Sequence, residues 1–114
     1  MNARGKQVSA SADELARSGV PGALVFDERG GRIDLKNAHD VFTGSKPDGT
    51  FAGASCRDWT SRAATDKAMV GHADARDPMN KWDHWSSTHE THGCDAASLQ
   101  NTAGRGHLYC FARE

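Results

Sequence analysis

Apolar positions in this chain fall in short, widely spaced clusters rather than in sustained periodic runs. Ser11-Ala12-Asp13-Glu14 has the Ser-x-x-Glu spacing of a capping box, in which each side chain satisfies a free backbone N–H at a helix start. Leu15 and Ala16 follow, and Gly19 is placed to close the helix in the left-handed region, so a helix of roughly two turns is predicted. Ala23-Leu24-Val25-Phe26 reads as a short strand, and Asp40-Val41-Phe42-Thr43-Gly44 as a second. Lys46-Pro47-Asp48-Gly49 is a turn in which proline presets φ and glycine takes the left-handed position. From Arg62 to Asn80 the chain is polar and alanine-rich without periodicity and reads as a long loop. Asp95 can cap a helical turn over Ala96-Ala97-Ser98-Leu99. His107 to Ala112 alternates with bulk on both faces and is expected to be a central strand. Few strands, short helices and a loop-rich middle predict an α+β domain.

Composition sharpens this picture. Of 114 residues only fifteen are Leu, Ile, Val or Phe, while seventeen are Ala. A chain this poor in large aliphatics is expected to need a covalent or metal staple. The formal net charge of −1 excludes a strongly basic nucleic-acid binder, and no apolar run reaches membrane-span length. Cys56, Cys94 and Cys110 lack the Cys-x-x-Cys spacing of zinc ribbons or thioredoxins; two can pair and one is left over. A Cys56–Cys94 link would close 38 residues and, in the chain-entropy model, stabilise the fold by about 4 kcal/mol.

The blocks Val41-Phe42-Thr43-Gly44-Ser45-Lys46-Pro47-Asp48-Gly49-Thr50, Cys56-Arg57-Asp58-Trp59-Thr60-Ser61, Gly71-His72, Trp85-Ser86, Gly93-Cys94 and Leu108-Tyr109-Cys110-Phe111 follow one another in a familiar order. Together they resemble the C-terminal half of endostatin-like, C-type-lectin-like domains, found at the ends of animal collagens and in bacterial secreted lectin-like proteins. The resemblance implies a small antiparallel sheet with short helices, a long loop pinned by Cys56–Cys94, and extracellular or cell-surface residence. It also implies that Cys110 pairs with an upstream cysteine, so the chain reads as an N-terminally truncated piece. Residues 1–19 form a partial N-terminal segment and residues 20–114 the domain. The family's zinc ligands fall in the unrepresented N-terminal part, and the Glu-Pro-Asn and Gln-Pro-Asp motifs of calcium-dependent sugar binding are not found here.

His72, Asp74, His84, His89 and His92 crowd the same region as Cys94 and are residue types that zinc accepts. His72-x-Asp74 and His89-x-x-His92 match no named metal signature, so these histidines read as polar loop residues; no metal or cofactor is assigned. Ser86 or Ser87 could be combined with His84 or His89 and Asp83, and Cys110 with His107. No Gly-x-Ser-x-Gly elbow supports the serine pairing and no orienting group the cysteine one, so enzymatic activity is not expected. Trp59 and Trp85 read as core. Trp82, Asp83 and His84 are the predicted ligand-binding residues of a non-enzymatic recognition module for a glycan or an extracellular protein. A zinc-stabilised structural domain using the loop histidines, or a remnant without independent function, are the alternatives.

Overall fold

The computed structural model of the chain describes residues 1–75 and 83–111. It is an α+β domain with a sheet of four short strands: β1 (Asp40–Phe42), β2 (Met69–His72), β3 (His89–Glu90) and β4 (Gly104–Leu108), in spatial order β3-β2-β1-β4. β1–β2 and β2–β3 are antiparallel and β1–β4 is parallel, so the sheet is mixed rather than wholly antiparallel as expected. The parallel pair is possible because the long excursion between β1 and β4, including helix Ala96–Gln100, lets the chain re-enter from the same end.

Local rules hold where capping and turn chemistry decide. Ser11 caps helix Ala12–Ser18 by accepting from Glu14 N, and the Glu14 carboxylate reaches back to Ala10 N. Asp95 caps the second helix through Ser98 N. Gly49 closes its turn at φ 84° with its N–H on Lys46 O at 2.9 Å.

Three strand expectations are corrected. Ala23–Phe26 is a 3-10 turn (Gly22–Leu24) followed by a single bridge, Phe26 to Arg32, because no neighbouring strand extends the pairing. The supposed loop from Arg62 to Asn80 contains β2, hidden in the sequence by its brevity and by the small residues Ala68 and Gly71. The last strand ends at Leu108 and lies at the sheet margin, not its centre, pairing β1 alone. Beyond it Tyr109 turns to pack on Trp85, and Leu108 is 59% exposed.

The interior is thin and partly polar. Val41, Val70, Ala54, Ala68 and Ala73 are buried together with Ser55, Ser86, Ser87, Thr88 and Thr91. The polar members take up strand hydrogen bonds: Thr91 Oγ1 accepts from Ala68 N at 3.1 Å, and Thr88 Oγ1 donates to Val70 O at 2.9 Å. A disulfide joins Cys56 to Cys94, at the centre of a cluster with Ala68 and Phe42. Cys56, Arg57, Asp58 and Trp59 all have φ between 48° and 65°, a left-handed turn anchored by Trp59 N on Ser55 O at 2.7 Å. Trp59, expected in the core, is 46% exposed, one side resting against Phe42 and Gly44. Trp85 is half-buried; its indole N–H donates to Ala16 O at 2.8 Å and clamps the N-terminal helix to the sheet.

Two stability outcomes follow from this packing. A Cβ at Gly71 would land on the Trp85 carbonyl where the 85–86 backbone crosses β2. Gly71→Ala should therefore cost at least about 1–3 kcal/mol in urea unfolding, since backbone rather than a flexible side chain must yield. Replacing both Cys56 and Cys94 by Ala should lower stability by up to about 4 kcal/mol, and the same loss should appear on adding a thiol reductant to the native chain.

Candidate metal centre

The sheet register assembles the site. Asp40 on β1 pairs directly with His72 on β2, and His89 on β3 pairs with Val70, two residues before His72. Paired residues, and residues two apart on one strand, share a face, so Asp40, His72 and His89 project from the same side. His39 precedes β1; its carbonyl accepts from Ala73 N at 2.8 Å, and its ring lies over that of His72.

Asp40 is the focus. Its side chain is 1% exposed, and both carboxylate oxygens lack a hydrogen-bond partner. Its Oδ1 is ringed by the Nε2 atoms of His39 at 3.4 Å, His72 at 3.4 Å and His89 at 3.6 Å. His72 Nε2 and His89 Nε2 are 3.3 Å apart.

The far sides of the rings explain what these atoms present. Nδ1 of His39 faces Asp74 Oδ1 at 3.1 Å, Nδ1 of His72 faces Asp83 Oδ1 at 3.6 Å, and Nδ1 of His89 faces Glu90 O at 3.1 Å. All three partners can accept from an Nδ1–H, and a ring protonated there turns an Nε2 lone pair toward Asp40. In that tautomer the Nε2 atoms of His72 and His89 offer lone pairs beside Asp40 Oδ1. A cation between them satisfies the lone pairs and the carboxylate together. Carboxylate or carbonyl groups behind the imidazoles are the usual outer shell of metal-bound histidines.

Ring orientation separates ligands from neighbours. An imidazole binds metal in its own plane. His72 and His89 are edge to face, 67° between planes, so their lone pairs can meet at one point. His39 and His72 are stacked, with centroids 4.3 Å apart and planes 17° apart, so their lone pairs run side by side. The Asp40–His72–His89 triangle, with edges 3.4, 3.3 and 3.6 Å, is the convergent set. Tetrahedral zinc with bonds of about 2.0–2.1 Å spaces its ligand atoms about 3.3–3.4 Å apart. Octahedral magnesium with similar bonds spaces adjacent ligands about 3.0 Å apart.

In the metal-free chain the cluster pulls its histidines in opposite directions. Burial, reinforced by His39 and His89, holds His72 below the ordinary histidine range despite Asp40 and Asp83. The Asp40 carboxylate beside it lifts His89 above that range, against its own burial.

Of the histidine-region residues singled out in the sequence, His72 and His89 are brought together and Asp74 stands behind His39. Cys94 is in the disulfide and His92 is exposed. His84 is buried, its Nδ1 3.0 Å from Ser86 Oγ, and burial holds its pKa down. Asp83, whose carboxylate faces His72, does not complete a Ser86–His84 pair. Of the predicted ligand-binding trio, Asp83 faces His72, the His84 carbonyl accepts from His72 N at 3.1 Å, and Trp82 lies outside the described residues. His39 and Asp40 escaped sequence reasoning: they stand 32 or more positions before the other donors, and only the β1–β2 register joins them. An aspartate opening an apolar strand was the one available signal. Among known protein families, curated proteins and solved structures, none matches this chain.

Proposed function

We propose that this chain is a small non-enzymatic binding domain organised around one divalent transition-metal ion, held by Asp40 Oδ1, His72 Nε2 and His89 Nε2. The observation that carries the reading is the buried Asp40 carboxylate, whose Oδ1 lies 3.4 Å from His72 Nε2 and 3.6 Å from His89 Nε2. Two imidazoles and one carboxylate suit zinc and its first-row neighbours rather than calcium or magnesium, and the spacing favours a tetrahedral ion. Such an ion ties β1, β2 and β3 together in a domain whose aliphatic interior is small. With the Cys56–Cys94 link it orders the same long segment from both ends, in keeping with an oxidising, extracellular setting.

A second reading, recognition of a glycan or protein surface, draws on a different observation. An open hollow of about 540 Å³ lies between the two cysteines' segments, lined by Phe51, Ser55, Arg57, Asp58, Asp66 and Glu90. Phe51 is 62% exposed, and Trp59, next in the chain after Asp58, is 46% exposed. Aromatic faces beside charged groups are what sugar rings and protein hot spots use. Quenching or shift of Trp59 fluorescence on a glycan panel, abolished by Trp59→Ala, is the measurement that favours it.

Metal analysis of the purified chain should return one zinc per molecule, and added zinc should raise the melting temperature. At free zinc about 100 times the dissociation constant the gain corresponds to about 2.7 kcal/mol. Asp40→Asn should abolish that gain, and without metal it should remove the acid-side stability that the raised His89 draws from Asp40. A zinc-induced gain that survives Asp40→Asn refutes the centre.

The pH dependence separates the two forms. Without metal, the raised His89 contributes stability below its unfolded value near 6.5 that fades as pH rises through its folded value. The depressed His72 does the reverse: its contribution is present above about 6.5 and fades as pH falls toward its folded value, so the two offset. Zinc requires both rings unprotonated, so its stabilisation should vanish as pH drops through the raised value of His89 and be full by about pH 8. Melting curves with zinc and with chelator, from about pH 5.5 to 8, should converge at the acid end.

A further inference from the structure

We propose that the ion's remaining coordination position takes an imidazole from outside the chain, so that the domain recognises a histidine side chain of a partner polypeptide through the metal. This rests on the metal reading above and adds an exogenous ligand to it.

Three observations carry the inference. First, the convergent set supplies three donors, whereas a tetrahedral ion has four positions. Among the described residues the further histidine at the cluster is His39, and its ring is stacked on His72, so its lone pair runs beside the ion rather than toward it. His39 is held in that pose from both ends, by Asp74 on Nδ1 and by the Ala73 N–H on its carbonyl.

Second, the cluster has a closed floor and an open rim. The Asp40 side chain is 1% exposed, whereas those of His39 and His89 are 27% and 34% exposed. A donor can therefore arrive from the solvent side, opposite Asp40.

Third, charge chooses the donor class. Asp40 already sets one anionic donor on the ion, and Asp74 and Asp83 stand behind the rings of His39 and His72. The negative field of these carboxylates disfavours a further anion and favours a neutral donor. Imidazole is the neutral side-chain donor these metals accept most readily. The flat flank of His39 offers an entering ring a stacking surface.

The test uses the full chain loaded with cobalt(II), whose visible absorption reports its ligands. Imidazole should change the spectrum saturably, with half-saturation in the range of about 1 mM, and azide should act more weakly. A short peptide carrying one histidine should reproduce the change, and the same peptide with alanine in its place should not. His39→Ala should keep cobalt affinity within about threefold and keep the imidazole response. Bound cobalt that ignores imidazole, or a loss of affinity of about tenfold or more in His39→Ala, means that His39 closes the site, and the inference falls. Azide binding as tightly as imidazole, or a response to free imidazole with none to the peptide, also overturns it. Failure of cobalt to bind, or undiminished binding in Asp40→Asn, is a separate result: it removes the centre itself.

Discussion

A buried carboxylate sits between the strands of this sheet with three imidazole nitrogens around one of its oxygens, and the local electrostatics follow from it. Burying an unpaired carboxylate is among the more expensive things a small domain can do. Asp40 is buried all the same, with the Nε2 atoms of His39, His72 and His89 around its Oδ1 and acceptors facing the Nδ1 atoms on the far sides of those rings. A core under selection for stability alone would place an aliphatic residue at the head of β1. Local structure that contradicts the rules of burial marks a binding site more reliably than any pocket does here.

How much of this was legible in the sequence depended on the range of the interaction. The capped helix at Ser11, the cap at Asp95 and the turn at Gly49 rest on contacts within four residues, and each formed as its chemistry dictates. β2 was opaque because it is four residues long and contributes a valine, a methionine and a glycine rather than an alternating stripe. The β4 assignment failed for a related reason. Bulk on both faces suggested a buried strand, but Tyr109 finds its partner in Trp85 and not within the sheet.

The histidine–carboxylate cluster was half visible. His72 and His89 stood out because polar loops seldom hold so many histidines, yet nothing in the spacing distinguished them from His84 or His92. Only strand register does that: it sets His72 opposite Asp40 and His89 one step along the same face. Of what the resemblance to C-type-lectin-like domains implied, the α+β class and the Cys56–Cys94 disulfide are present, whereas the sheet is mixed and not antiparallel. The cluster's chemistry, by contrast, is particular to these residues.

The turn from Cys56 to Trp59 winds with the opposite hand to an ordinary helix. For residues with a Cβ that conformation costs roughly 1–2 kcal/mol each, so four in succession amount to a burden comparable with the whole entropic gain of the cross-link beside them. The sulfur bridge and the inverted turn therefore act as counterweights. The cross-link thus closes a loop that begins in an inverted turn, and the stability it lends is net of what that turn costs.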